Sequence, residues 1–503
     1  MRFTIGLVAF LIFIGKQAGQ TARILSIFGF EGPAQYAFLE PLLLKLAERG
    51  HSVTSITNFP QTAEVKNLRS IAIEENFKFN RSKLHNVTRG ISKEIGLDHF
   101  NTTGAMFNLG FQMCDNILHN ALIRDLMESE SFDLVLWNSM FSESLYGLAQ
   151  HFNAPIVGIS TIGSSSPLDS LFRNSAPLSY VPSLMMAHRY DENMSFLERS
   201  LNVVLCVLAT VFHDYEFMPM NKKYYQSRFP NATKTVEQVQ KNISLVLLND
   251  HHTISTPKPY VPNMIEVAGL HIPEVPEPLP IDILTMLQTQ GGFIYVALAE
   301  HFPDNVMQIV LNQFGMMKPM ILWNTPQYPS AVLRVPGNVY FFRNLSHHGI
   351  LSHPNCKLLI SHGSYLSVVE SIHYGIPILG LKSSHIATGE MFNFVEKIRT
   401  GISLKISAKS LHDQEIYKAI VELVQNEKYM KLAKLKSFQF RDRQTTPMQT
   451  AIYWIEYVLR HSGAPHLVHL GHNLNTWQFY NIDVIMFFVI TLFVSLLQQP
   501  TTV

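Results

Sequence analysis

Cysteine is scarce: Cys114, Cys206 and Cys356 are three residues in a chain of 503. Three unevenly spaced thiols exclude a disulfide-stapled secreted module and a zinc ribbon, and leave either one disulfide with a free thiol or three buried thiols. Charge is sparse too, at 15% of residues, and has no dominant sign: 39 Lys and Arg against 38 Asp and Glu give a net +1. A nucleic-acid partner would require a basic excess, so none is expected. The chain contains no G-x-S-x-G, no Walker A loop and no H-E-x-x-H, which removes familiar signatures of hydrolases, P-loop enzymes and zinc proteases. In Asp250-His251-His252 the neighbouring histidines, if they continue a strand, point to opposite faces, so no metal site is expected there. What the chain does have is 47% hydrophobic residues, enough for a large core without a scaffold of disulfides.

The two ends suggest a compartment. Met1-Arg2 is followed by an almost wholly apolar run, Phe3 to Ile14, and then small residues, the pattern of a signal peptide over residues 1–22. Val484 to Leu497 is an uncharged run of 14 residues, short of the ~20 that span a bilayer, and counting from Trp477 gives 21 residues that include Asn481 and Asp483. Residues 477–497 are read as a single-pass transmembrane anchor and 498–503 as a short tail, the rival being a GPI-type or interfacial tail. Seven N-x-S/T sequons, at Asn80, Asn86, Asn101, Asn193, Asn231, Asn242 and Asn344, lie between the ends, as in a glycoprotein whose bulk is lumenal.

Between the ends the pattern is α/β. A strand over Arg23–Phe30, a helix over Tyr36–Arg49 stopped by Gly50, and a strand over His51–Thr57 form a βαβ unit. Phe132–Trp137, Ser142–Phe152 and Ala154–Ser160 repeat it, and Asn242–Asn249 adds a strand. Residues 165–235, rich in Met, Phe and Tyr, read as an apolar insertion over a pocket or as ordinary core. Pro273–Pro280, PEVPEPLP, reads as a linker. Further strands are expected at Phe293–Leu298, Pro319–Trp323, Val339–Phe342, Lys357–Ser361 and Ile376–Leu381. Two doubly wound, Rossmann-like domains would then face a cleft, with ligand at the carboxyl ends of the strands.

The segment Lys357–Asn393 carries the most chemistry. A buried strand ends in Ser361-His362-Gly363-Ser364, a helix starts there with Ser367 and Glu370 in its early turns, and Gly375-Ile376-Pro377 closes it. Backbone N–H groups at that helix start, beside small residues, make a phosphate cradle, and Glu370 is placed to hold a ribose diol.

This segment closely resembles the signature of the UDP-glycosyltransferases (UDP-glucuronosyltransferases), in their insect-type, membrane-bound form. The likeness extends through AERGHSVTSIT, FDLVL, HFNAPIVGIST, SLVLLNDHHTISTPKPYVPNMIEVAGLHI, HPNCKLLISHG and WIEYVLRHSGAPHL. It implies a GT-B fold with an acceptor-binding domain over 23–272, a Pro-rich linker over 273–281, a UDP-sugar-binding domain over 282–440, and helices over 441–467 that pack back on the first domain. It implies inverting transfer of a hexose from a UDP-sugar to a small lipophilic acceptor, with no metal and no cofactor beyond the co-substrate. It further implies an endoplasmic reticulum or other secretory membrane, a role in detoxification, and homo- or hetero-oligomers with family members. By resemblance His362 and the amides of Gly363 and Ser364 hold the diphosphate, with Ser367 beside them, and Glu370 holds the ribose.

Other positions depart from the family pattern. The catalytic histidine, which deprotonates the acceptor, falls at Gln35, and the acid that orients it falls at Asn138. The tryptophan that stacks on uracil falls at Asn344, and a nearby glutamine at His347. The Asp-Gln pair that grips the sugar is replaced by Gly389 and Glu390. An amide cannot take a proton near neutral pH, and a positioned general base is worth ~10²–10⁴ in rate. Gln35 and Asn138 could instead hydrogen-bond each other. Glu31, Tyr36 or Glu40 could supply a base from a neighbouring position, although a structural role is the ordinary reading, and a neutral amine acceptor would need none before attack. Two functions follow: a hexosyltransferase with impaired or altered acid–base chemistry, or a catalytically inactive relative that binds lipophiles or modulates active members.

Overall fold

The computed structural model describes residues 21–29, 32–59, 63–76, 97–139, 142–182, 193–288, 291–298, 302–325, 328–343, 345–383, 395, 398–406, 412 and 414–497. The leader over residues 1–20, the tail from 498, the sequons at Asn80 and Asn86, Glu31 and the donor-site positions Asn344, Gly389 and Glu390 lie outside the described residues.

Two parallel sheets organise the chain. The first contains β1 (Arg23–Ile27), β2 (Ser52–Thr57), β3 (Leu68–Ala72), β4 (Leu134–Asn138), β5 (Ile156–Ser160), β6 (Ile243–Leu248) and β7 (Met264–Glu266), in the order β3-β2-β1-β4-β5-β6-β7. The second contains β8 (Phe293–Ala297), β9 (Met320–Asn324), β10 (Val339–Phe342), β11 (Cys356–Ser361), β12 (Ile378–Ser383) and β13 (Gly401–Ile406), in the order β10-β9-β8-β11-β12-β13. The order reverses beside β1 in one sheet and β8 in the other, and at such switch points ligands bind. The helices around and beyond these sheets include α1 (Pro33–Glu48), α2 (Phe196–Phe212), α3 (Tyr365–Tyr374), α4 (Glu427–Arg441), α5 (Pro447–Arg460) and α6 (Ile482–Leu497).

Both faces of each sheet are covered, which is why the strands read as unbroken apolar runs. Ile24 packs with Phe38, Leu42 and Leu46 of α1, while its neighbour Leu25 points to the opposite layer with Ile117 and Trp137. In the second sheet Phe293 and Tyr295 face one core, and Ile294 and Val296 the other. Three strands escape a reading based on apolar runs. Leu68–Ala72 and Met264–Glu266 are short sheet edges, and Gly401–Ile406 alternates polar and apolar residues as a half-covered edge does.

The two halves are tied by side chains that cross between them. Leu366 of α3 and Ala451, Ile452 and Ile455 of α5 lie in the same cluster as Phe38 and Leu39 of α1. Phe440 of α4 packs with Ile254, Ala268 and Ile272. Gly269, at φ +85°, lets this ring approach: a Cβ there would sit 3.2 Å from Phe440 Cζ. Arg443 Nη1 donates to the Ala268 carbonyl at 3.0 Å, Lys436 Nζ to the Thr253 carbonyl at 2.9 Å, and Arg49 pairs with Glu456 at 2.6 Å. The basic run of α4 is thus in part an inter-half clamp.

Residues 193–228 are largely helical, and 33 of them, Phe196–Arg228, form the one helical run among the described residues long and apolar enough to cross a membrane. The C-terminal apolar segment is divided: Thr476–Phe479 is a separate turn, Asn481 sits at φ +52°, and α6 begins at Ile482. Cys114, Cys206 and Cys356 are buried. Asn193, Asn231 and Asn242 are exposed.

Candidate functional site

The carboxyl end of β11 turns into α3 through four small or polar residues. Ser361 Oγ accepts the Gly363 N–H at 3.0 Å, and Gly363 adopts φ +77°. A Cβ at that position would lie 2.9 Å from Val395 Cγ2, so both conformation and space require glycine. Ser364 caps α3: its Oγ accepts the Ser367 N–H at 3.0 Å and lies 2.9 Å from Ser367 Oγ. The remaining N-terminal amides of α3 are the anion-attracting end of a ten-residue helix. Gly375, at φ +66°, ends α3 by donating back to Ile372 and Ser371.

His362 stands between strand and helix. Among the described residues neither of its ring nitrogens has a hydrogen-bond partner in ordinary geometry. Burial pushes its pKa down to about 4, opposed in part by the Leu381 backbone. It is therefore a neutral imidazole near pH 7.

Glu370, two turns into α3, is engaged. Its Oε2 lies 3.0 Å from His347 Nε2, and its Oε1 lies 3.5 Å from His271 Nε2. His347 is fixed from behind by the Tyr295 hydroxyl, 2.8 Å from Nδ1, and Asn324 Nδ2 donates to that hydroxyl at 3.3 Å. Burial alone would raise the Glu370 carboxyl, but His347 and His271 overcome it and hold it below the usual carboxylate range. Burial alone would lower His347, but Glu370 reverses the sign and raises it. Burial takes the neighbouring His348 down to about 4, against the pull of Glu370.

On the facing half, Gln35 is the third residue of α1. Its Oε1 accepts the Gly32 N–H at 3.0 Å, so the amide closes the start of its own helix. The carbonyl end thereby takes part in the cap of α1. Asn138 ends β4 and is buried, and its main-chain carbonyl accepts from Ser142 Oγ at 2.6 Å. Tyr36 donates to Glu40 at 3.2 Å, so these two polar side chains answer each other. The half-sites meet at His271: its ring centroid lies 5.9 Å from that of Phe38, three residues beyond Gln35, and its Nε2 faces Glu370. His271, Tyr295 and Asn324 were not singled out from sequence. Tyr295 reads as core because it lies mid-strand, and only its hydroxyl differs from its apolar neighbours.

His251 and His252 follow β6 in a turn, where strand alternation no longer applies, and their rings lie 3.9 Å apart. His251 Nδ1 lies 2.8 Å from Thr253 Oγ1. Among the described residues no group of three or more His, Cys, Asp or Glu is arranged to hold a metal ion.

A family model described as UDP-glucoronosyl and UDP-glucosyl transferase matches residues 32–500. The chain belongs to the UDP-glycosyltransferase family. It is 29% identical to UDP-glycosyltransferase UGT4 of Dactylopius coccus over 97% of this chain and 95% of that one. It is 23% identical to UDP-glucuronosyltransferase 2C1 of Oryctolagus cuniculus over 89% and 91%. Among solved structures it is similar to CalG4, the calicheamicin glycosyltransferase, at a TM-score of 0.56 and 15% identity, covering 87% of this chain and 98% of that one. The spinosyn rhamnosyltransferase SpnG, solved with thymidine diphosphate, matches at a TM-score of 0.54 and 13% identity over 86% and 100%. The fold is GT-B: two Rossmann-like halves of a UDP-glycosyltransferase, with family activity defined by sugar transfer from a UDP-sugar.

Proposed function

We propose that this UDP-glycosyltransferase binds a UDP-sugar on the β11–α3 turn and transfers its hexose, with inversion, to a small lipophilic acceptor held by the first half. The observation that supports the reading is the turn itself: the Gly363 conformation, the Ser364 cap and the ring of His362, whose nitrogens have no partner in ordinary geometry among the described residues, suit a diphosphate. SpnG, of the same fold, is solved with a nucleoside diphosphate. In the transfer, the acceptor's nucleophilic atom forms a bond to the anomeric carbon as the bond to the diphosphate oxygen breaks. The charge that grows on the diphosphate is met by the α3 amides and an N–H of His362. Glu370 supplies the ribose contact.

The proton of the acceptor is the weak point. Gln35 cannot take it, and its carbonyl oxygen is the cap of α1. Transfer to hydroxyl acceptors is therefore slow, and transfer to neutral amines, which lose their proton after attack, is favoured. The same residue supports a second reading, a non-catalytic relative that binds lipophiles or modulates active members in homo- or hetero-oligomers. The C-terminal apolar segment supports anchoring in the endoplasmic reticulum or another secretory membrane, with the exposed sequons on the lumenal side.

Isothermal titration of the full-length protein in detergent with UDP and UDP-glucose, followed by transfer assays on hydroxyl and amine acceptors, tests this. Donor binding with turnover on amines supports the enzyme. Donor binding without turnover on either class favours the second reading. No binding of UDP defeats the enzyme reading.

A further inference from the structure

Helix α2 shows an unusual face to solvent. Leu197, Leu201, Val204, Leu208, Val211 and, one turn past its end, Tyr215 are all exposed, Leu197 at 76% and Val204 at 52%. Their spacing of 4, 3, 4, 3 and 4 puts them on one stripe. No Asp, Glu, Lys or Arg occurs between Arg199 and Asp214, so nothing on the helix compensates for this surface. The opposite stripe is fixed to the body. Asn202 is buried and donates to the carbonyls of Leu178 and Val181 at 2.9 and 3.0 Å, and Cys206 Sγ lies 3.7 Å from Ser166 Oγ. A helix held to the protein along one side cannot thread a bilayer, whatever its length and composition. It can lie on one, with the free stripe sunk among the acyl chains.

The neighbouring elements indicate what covers this stripe. Helix α6 is exposed and apolar at every position from Val484 to Ile490, a helix greasy all round. Its lead-in is bonded beside α2. Arg173, at the end of the short helix Ser166–Leu171 that packs on α2, donates to the Leu474 carbonyl at 3.3 Å and sits 5.3 Å over the Phe479 ring. A cavity of about 360 Å³ is lined jointly by Leu171, Arg173, His213 and Met218 and by His472 and Thr476 of the lead-in. The two solvent-facing apolar surfaces therefore share one locality.

We propose that α2 is a membrane-surface helix: its exposed stripe rests in the lipid interface of the bilayer that α6 enters. The proposal is independent of the donor site. A rival occupant, a second copy of the chain packed stripe to stripe, has the same spacing in its favour but does not explain the adjacent α6.

Full-length protein reconstituted in phosphatidylcholine vesicles tests the proposal. A polarity-sensitive fluorophore is attached at Val204→Cys, and in a separate protein at Leu435→Cys, an exposed position on α4. The three native thiols are buried and resist labelling. Brominated acyl chains should quench the label at 204 about threefold more than that at 435, and aqueous iodide should show the reverse order. Equal iodide quenching at both sites overturns the proposal. So does efficient copper-catalysed crosslinking of unlabelled Val204→Cys between copies, which assigns the stripe to a second chain. A parallel Leu208→Cys label, one turn along the same stripe, guards against a local effect of one substitution.

Discussion

His347 against Glu370 is the residue-scale departure with the largest consequence for donor binding. Below the raised pKa of His347 the imidazolium occupies the carboxylate that a ribose diol would use. Above it His347 loses its charge and its hold on Glu370 weakens, leaving His271 beside Oε1. UDP affinity should therefore rise as pH climbs through the raised pKa of His347, by roughly 10- to 150-fold if the pair is worth one charge-assisted hydrogen bond of ~1.5–3 kcal/mol. Titration calorimetry on either side of that pKa measures it, and His347→Gln should flatten the profile by raising the affinity at low pH. Tighter binding on acidification would mean that His347 grips the nucleotide directly. Folding stability carries the opposite sign. The His347 contribution is complete below its ordinary value near 6.5 and is lost as pH rises through the raised one. The Glu370 contribution is present above its ordinary value near 4.5 and is lost as pH falls through the lowered one.

Gln35 gives a second test at the same scale. Gln35→His with Asn138→Asp restores a base and its orienting acid. Transfer to a hydroxyl acceptor should rise by ~10²–10⁴ if the donor cradle is sound. The change also removes the reciprocal cap at Gly32, at a cost to α1 of ~0.5–1 kcal/mol on the scale of other caps, visible as a small drop in melting midpoint. Unchanged turnover with intact UDP binding would place the defect in acceptor binding. Sequence alone could show that an amide stands at the base position, because residue type is local information. It could not show that the amide caps a helix, or that Glu370 is held by His271 and His347, because those partners lie 99 and 23 positions away, and His271 reaches Glu370 only when the halves dock.

At the scale of elements, the strand–turn–helix of the second half was legible because its requirements are local: an apolar run, a glycine, a serine cap, a terminal glycine. Each can be tested separately. Gly375→Ala puts a Cβ at φ +66°, 3.0 Å from Ser437 Cβ and 3.1 Å from Lys434 Cδ. The left-handed conformation alone costs ~1–2 kcal/mol, so the melting midpoint should fall by several degrees while UDP affinity changes little. Gly363→Ala should do the reverse in proportion, because its Cβ meets Val395 inside the cradle, and UDP affinity should fall more than stability. What periodicity could not reveal was α2. A stripe of Leu and Val at helical spacing signals a buried face in a soluble domain, and only the folded chain shows that the buried stripe is the other one, through Asn202 and Cys206.

For the whole molecule the question is what holds two sheets at one cleft. The linker over residues 273–280 is largely extended and exposed, Val275 at 84%, and offers little. The halves are fixed instead by side chains that cross in both directions. Asp250, just past β6, accepts from Tyr260 at 2.7 Å and from Tyr365 of α3 at 3.3 Å, and Phe440 of α4 fills the hollow over Gly269. These contacts place the β11–α3 turn opposite α1, so they shape the candidate site as much as the residues that line it do. Phe440→Ala removes a wholly enclosed ring at ~3–5 kcal/mol, the range for large aromatic truncations. Because the lost ring lies between the halves, the expected signature is separation before unfolding: faster proteolysis within 273–280 at temperatures where each sheet remains folded, together with weaker UDP binding. Saturating UDP should slow that cleavage in the native protein if the ligand draws the halves together. Cleavage in Phe440→Ala that matches the native rate would show that the crossing helices, and not this ring, set the geometry of the cleft.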